Sequence, residues 1–398
     1  MRRLCVFPND SLQHSLVKGE VKPRYFNPGD LFDEIHVISL ADEETKAEVV
    51  QEMAGRARLV LHTLGSITAG TLTGLPAYRR RVLDRIRAIR PAAVRAYNPF
   101  FPGWLAVSCA QALDVPSVVS LHGNFDKDVR ELYWREGRFL RWLKYTAFAF
   151  TVEPYVLRHA DKVICAYQFP VEYARRYGAK DAAVIYNRVD LERFAPSPRS
   201  GLAGELKVLA VGRLVAEKNH ACLLRALAVA EGVRLRIVGD GPEHAALSRL
   251  AGRLGLEGRL ELARSVPHRD IHREYQWADV YATAIRYGGV SIPVMEAMAS
   301  GLPLVVPTPR WEPEPELAAP AALVVENTPA AFRQAFLRLR DDPALRQRLG
   351  RLARERIAPL GAAEMEARER RVYEELLDLE RSGVPQDRIA VGSGASQR

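Results

Sequence analysis

Short apolar runs alternate with longer helical stretches through the first half of the chain. Residues 4–7, 34–39, 58–61, 118–121 and 162–165 are rich in Val, Ile and Leu. Runs this short and this apolar predict strands buried on both faces. Between them, residues 78–89 and 104–113 carry Ala, Leu and Arg in helical patterns. The alternation predicts a mostly parallel sheet covered by helices on both sides. Residues 196–204, with Pro196, Pro198, Ser197, Ser200, Gly201 and Gly204, break the pattern and mark the best domain boundary.

The alternation then resumes. Residues 207–211, 233–238, 260–262, 280–282 and 304–306 supply a second set of strands. Residues 220–230 put Leu223, Leu224 and Leu227 on one side of a helix, and a further helix covers residues 243–254. The chain therefore reads as two α/β halves of similar size. Residues 389–398, rich in Gly and Ser, predict a flexible tail.

Composition narrows this picture little. Of 398 residues, 48% are hydrophobic and 26% charged, which excludes a wholly disordered or collagenous chain. Lys and Arg number 57 against 48 Asp and Glu, a formal charge of +9. That excess suits an anionic partner, whether nucleic acid, phosphorylated ligand or acidic membrane, and equally suits an Arg-rich solvated surface. Cys5, Cys109, Cys165 and Cys222 lie far apart, so neither a metal knuckle nor a disulfide framework is expected, and a reducing cytoplasm fits. The first residues read as a strand and lack the apolar segment of a secretory signal. No apolar run approaches the length of a membrane span.

Candidate chemistry lies where ligands meet open parallel sheets, at the loops leaving strand ends. Residues 211–219 occupy such a place. Gly212 permits a tight exit, and Arg213 and Lys218 bring cations suited to phosphate, unless the run is a solvated turn with Glu217 as counter-ion. Residues 286–303 form a second cluster. Gly288 and Gly289 allow close backbone approach, Ser291 can cap a helix, and Pro293 suits its first turn. Free amides there favour phosphate. Glu296, one turn in, can accept hydrogen bonds from a diol such as ribose, or can answer the helix dipole. No paired carboxylates at convincing spacing and no DxD metal motif stand out.

These features together resemble the retaining glycosyltransferases of family 4, which have the GT-B fold. The resemblance rests on Gly212–Arg213 to Glu217–Lys218, Gly239–Asp240–Gly241–Pro242–Glu243, Trp277–Ala278–Asp279–Val280 and residues 289–303. Leu121–His122–Gly123 and residues 184–190 agree more loosely. It implies an α/β chain of two facing Rossmann-like domains with parallel sheets. Residues 1–195 would bind the acceptor, residues 205–360 the nucleotide-sugar donor, and helices in residues 361–388 would cross back to the first domain.

By the same resemblance, Arg213 and Lys218 bind the donor diphosphate and Glu296 its ribose. Gly289, Val290 and Ser291 approach phosphate and sugar through their backbone. Val266 lies beside the base, and His122 near the transferred sugar. The nucleotide-diphosphate sugar is a co-substrate, with no cofactor and no metal implied. Transfer proceeds with retention, and the leaving diphosphate can itself receive the acceptor proton. The acceptor is a hydroxyl-bearing sugar, glycolipid or small metabolite. The family commonly places Glu eight residues before the position of Glu296, where this chain has Gly288. That departure keeps open a nucleotide-sugar-binding protein without turnover, and a nucleotide-sugar epimerase or hydrolase on a similar two-domain fold is a further alternative.

Asp126 near His122 is either a ligand contact or a loop carboxylate. His14 and Lys18–Gly19–Glu20 follow the first strand, where an acceptor would pass. Arg79, Arg80, Arg81, Arg85, Arg87 and Arg90 either steer a phosphorylated acceptor or coat a solvated helix. Arg135, Arg138, Arg141 and Lys144 interleave with Trp134, Phe139, Trp142 and Leu143. That segment either rests peripherally on the inner face of the cytoplasmic membrane or packs by its aromatics. Specific nucleic-acid binding is not expected, since no reading module is recognised. No GxGxxG joins the first strand to a helix, which argues against a dinucleotide dehydrogenase.

Overall fold

Seven short strands build the first sheet, its inner strands β1, β2 and β5 buried almost throughout. They are β1 (Arg3–Phe7), β2 (Glu34–Ser39), β3 (Arg58–Thr63), β4 (Ala93–Ala96), β5 (Ser117–Leu121), β6 (Lys162–Cys165) and β7 (Ala182–Val184). Six more form the second sheet: β8 (Leu206–Val211), β9 (Val233–Val238), β10 (Leu260–Ala263), β11 (Val280–Ala282), β12 (Leu304–Pro307) and β13 (Ala322–Val325). The orders are β3-β2-β1-β4-β5-β6-β7 and β10-β9-β8-β11-β12-β13, parallel throughout. This is the expected GT-B arrangement of two Rossmann-like sheets. The structure is a computed structural model that describes residues 1–17, 21–42, 44–66, 74–197, 205–286, 290–309, 314–317 and 320–378. Residues 198–204 of the expected 196–204 boundary, Lys18–Gly19–Glu20, Gly288, Gly289, the end of the 361–388 segment and the 389–398 tail lie outside the described residues.

Helices cover both faces of each sheet, as parallel strands without a solvated face require. The helix Phe101–Leu113 buries Leu105, Val107 and Cys109 against the first sheet. All four cysteines are buried free thiols. Strands β4, β7 and β13 go beyond the elements expected from the sequence. In β4 a buried Arg95 interrupts the apolar run that would have announced it.

The partners of Arg95 come from the far end of the chain. The helix Ala362–Leu376 buries Met365, Val372 and Tyr373 in the core beneath β1 and β2. Its Glu369 pairs with Arg95 and accepts a 2.7 Å bond from Arg188 Nη2. Burial alone would raise the Glu369 carboxyl, but Arg95 and Arg188 outweigh it and hold the group below its ordinary range. A second tie runs from Glu316, between β12 and β13, to the Tyr186 hydroxyl at 2.7 Å and the Gln168 amide at 3.3 Å. One carboxylate thus joins second-sheet and first-sheet loops.

Candidate active site

The C-terminal edges of the two sheets open on one cleft of about 750 Å³. Pro8–Asp10 after β1, Tyr97 after β4 and His122 after β5 line one wall. Gly212 and Arg213 after β8, Gly239 and Asp240 after β9, and Val266 and His268 after β10 line the other. Both walls include the point where strand order reverses, between β1 and β4 and between β8 and β11. Open parallel sheets bind ligands at such crevices.

Arg213 is exposed at the cleft, whereas Lys218 is half-buried behind Gly212. Burial first, with Arg213 beside it, pulls the Lys218 ammonium down to about 8, and Glu217 opposes the shift. The two cations therefore repel each other in a partly dry setting, and an arriving anion would relieve both. The approach is kept open by Gly239, where a Cβ would collide with the Gly212 backbone. The Glu217 carbonyl accepts the Arg286 amide at 3.0 Å, which ties this loop to the second cluster.

That second cluster opens the helix Ile292–Ala299. Ser291 holds the N-cap position in extended conformation, but its side chain makes no capping bond, contrary to expectation. Ser291, Ile292 and Pro293 instead line the cleft. The Val290 amide donates to Glu314 Oε2 at 3.1 Å, so a carboxylate holds one of the amides expected to meet phosphate. Gly289 lies outside the described residues. Glu296, only 3% exposed, still reaches the cleft lining one turn into the helix. Its Oε1 lies 2.9 Å from His268 Nε2, and its Oε2 accepts the Tyr275 hydroxyl at 2.8 Å. Burial, and next the Glu296 charge, push the Tyr275 phenol far up, so it stays a donor. A carboxylate has about four acceptor sites, so two protein donors leave room for a ligand diol.

On the facing wall, His122 is reached by solvent and stacks on Tyr97, ring centres 6.2 Å apart. The enclosing protein, and then Arg95, push its imidazole down to about 4, so it is neutral at neutral pH. At Gly123, next to it, a Cβ would lie 2.5 Å from Asp128 Oδ2, so a larger residue would have to displace that carboxylate. Asp126 is engaged by other side chains. It pairs with Arg130 and Arg176 and accepts the Tyr177 hydroxyl at 2.7 Å. His14 lines the cleft. The structure thus gathers His122, Arg213, Val266, Ser291 and Glu296 around one cleft, with Lys218 behind it. His268 and Glu314 were not anticipated from the sequence. Among the described residues, no group of three or more His, Cys, Asp or Glu is placed to hold a metal ion.

Two family descriptions account for the two halves. Residues 31–193 match "Glycosyltransferase Family 4" and residues 197–356 match "Glycosyl transferases group 1". The chain belongs to the GT-B-fold glycosyltransferases related to family 4. Among curated members, it is 32% identical over 159 residues to the GDP-mannose-dependent alpha-(1-6)-phosphatidylinositol monomannoside mannosyltransferase of Mycolicibacterium smegmatis. That match spans 35% of this chain and 42% of the relative. Glycogen synthase of Mycobacterium tuberculosis is 27% identical over 291 residues, 70% of this chain and 67% of that one. Among solved structures, Anabaena Alr3699/HepE in complex with UDP and glucose superposes with a TM-score of 0.72 at 17% identity, over 94% of this chain and 99% of that one. Sucrose-phosphate synthase from Thermosynechococcus elongatus gives 0.68 at 18% identity, over 96% of this chain and 100% of that one.

Proposed function

We propose that this glycosyltransferase moves a sugar from a nucleotide-diphosphate sugar to an acceptor hydroxyl, with retention of anomeric configuration. The observation that carries the reading is the convergence on one cleft of Arg213, with Lys218 behind it, and a helix N-terminus followed by Glu296. Cations suit the diphosphate, and the carboxylate suits the ribose diol. The bond from the anomeric carbon to the diphosphate oxygen breaks, and its electron pair stays on that oxygen. Arg213, Lys218 and the helix-end dipole stabilise the growing charge, which lowers the barrier because the interaction strengthens as the bond breaks. The acceptor oxygen bonds the same face of the anomeric carbon, and its proton passes to the departing diphosphate.

In this reading residues 1–195 take the acceptor and residues 205–360 the donor, with Val266 beside the base and the backbone of Gly289, Val290 and Ser291 near phosphate and sugar. His122, neutral at neutral pH, serves as a hydrogen-bonding wall for the sugar, not as a cation. The acceptor is a hydroxyl-bearing sugar, glycolipid or small metabolite. The enzyme works in the cytoplasm, and a glycolipid acceptor would bring it to the inner face of the membrane. Among the described residues, no helix is long and apolar enough to cross a membrane.

The test is donor binding and turnover in folded Arg213→Ala, Lys218→Ala and the double variant. Donor affinity should fall, and turnover should fall further, because the lost interactions grow toward the transition state. Unchanged affinity and turnover in the double variant would leave this loop a structural turn.

A further inference from the structure

One tyrosine on the floor of the cleft carries a hydroxyl proton that no protein group takes. Tyr167 follows β6 and lines the cleft beside Asn187, which follows β7. The Asn187 side-chain amide donates to the Tyr167 hydroxyl oxygen at 2.7 Å. A phenol has one proton to give and accepts through its oxygen. With Asn187 on the accepting side, the proton is aimed elsewhere, and among the described residues no acceptor receives it. Burial, against the opposing Asn187 bond, pushes the phenol above its ordinary range, so the proton stays in place. Tyr167 is therefore a fixed donor facing a cleft, with its acceptor left for water or a ligand to supply.

Its surroundings say what kind of ligand that is. Leu121 pairs with Cys165 across β5 and β6, and the Ala166 amide donates to the Leu121 carbonyl at 2.8 Å. His122 and Tyr167 therefore leave neighbouring strand ends, and both line the cleft. Tyr167 also packs on the apolar cluster of the second domain that contains Leu317 and Val294, against which Val290 packs too. Glu316 holds it from that side. Its Oε1 accepts the amide of Gln168, the next residue, and the hydroxyl of Tyr186, whose ring stands edge-on to Tyr167 at 6.4 Å. The donor therefore sits where the two walls meet. The carboxylates of Glu316 and Glu314 both act on its phenol, and their negative field disfavours a phosphate at this place. Cations for the diphosphate stand apart, at Arg213 and Lys218. What remains here is a phenol and, beside it, the neutral imidazole of His122, a pair suited to the uncharged hydroxyls of a sugar.

We propose that the Tyr167 hydroxyl donates a hydrogen bond to a hydroxyl oxygen of the transferred sugar, which makes Tyr167 a determinant of the sugar this enzyme accepts. The proposal rests on the sugar-transfer reading of the cleft, and the measurements separate the two. Calorimetry on the full chain compares UDP-glucose, UDP-galactose and GDP-mannose, each with its parent diphosphate. For the pair that the wild type binds, Tyr167→Phe should leave the diphosphate affinity nearly unchanged and weaken the nucleotide sugar about tenfold. Asn187→Asp keeps the tyrosine but replaces the amide donor by an acceptor, which draws the Tyr167 proton to itself. It should also weaken the nucleotide sugar more than the diphosphate, an effect that packing alone would not produce. Thermal unfolding confirms that both variants are folded. Equal nucleotide-sugar affinity in wild type and Tyr167→Phe, or equal losses for nucleotide sugar and diphosphate, would overturn the role of Tyr167 and leave sugar transfer standing. A wild type that binds none of these ligands would overturn the sugar-transfer reading and this proposal with it.

Discussion

His268 Nε2 sits 2.9 Å from Glu296 Oε1, while the Tyr275 hydroxyl holds the other carboxylate oxygen. This pair fixes the orientation of the one buried carboxylate that, among the described residues, reaches the cleft. Glu296→Gln keeps the size but removes the charge and the acceptor-only character. It should weaken a nucleotide-diphosphate sugar by about 1–3 kcal/mol and the matching sugar phosphate much less. Calorimetry with both ligands reads the difference, and equal losses would take ribose away from Glu296. His268→Ala should produce a smaller loss of the same selectivity, since it frees the carboxylate without removing it.

The lowered ammonium of Lys218 gives donor binding a pH dependence. Its value of about 8 lies below that of an ordinary lysine because burial and Arg213 disfavour the charge, and a bound diphosphate would favour it again. Donor affinity should therefore hold at neutral pH and fall as pH rises through 8, approaching a tenfold loss per unit. Lys218→Arg keeps its charge throughout and should flatten this limb. A wild-type affinity flat from neutral pH to well above 8 would separate Lys218 from the diphosphate.

His122 should leave no mark on the pH profile near the ordinary histidine value, because its imidazole is already down to about 4. His122→Ala should lower turnover more than donor affinity while leaving the neutral part of the profile unchanged in shape. A wild-type inflection near the ordinary histidine value that disappears in this variant would show that His122 titrates there and would contradict its neutral role.

The C-terminal helix should hold the first domain together through charge as well as packing. Glu369→Gln leaves Arg95 buried, with Ser120 and Tyr373 but without its carboxylate. Removing one partner of such a pair costs about 3–5 kcal/mol, read as a lowered thermal midpoint. Glu369 titrates below its ordinary range in the folded chain. Its contribution is therefore complete above the unfolded carboxylate value and is lost as pH falls through the lowered folded value. An acid-unfolding curve unchanged by the substitution would remove this contribution.

Much of the fold was legible because its signals are local. Apolar runs, Gly212 at a strand exit, and Pro293 and Gly301 bracketing the 292–299 helix each act within a few residues. What stayed hidden depends on distant partners. Arg95 disguises β4 as a polar stretch because the acid that neutralises it is Glu369, at the other end of the chain. His268 and Glu314 sit in loops without a motif, and only packing brings them to Glu296 and Val290. In the 139–150 helix, apolar and aromatic residues recur all round the axis, so the pattern alone does not mark its inward side. Which face of that helix meets the core was settled by Phe100, 39 or more residues away.

Sugar transfer from a nucleotide-diphosphate donor in this cleft is read most directly by mass spectrometry of products. The full chain is incubated with a panel of nucleotide sugars and hydroxyl-bearing acceptors in isotopically labelled water. One donor should yield a new glycoside and a free nucleoside diphosphate, without label in the sugar product, and both products should be lost in the Arg213→Ala, Lys218→Ala double variant. Labelled free sugar as the sole sugar product, an isomerised donor, or full turnover by the double variant would contradict transfer at this site.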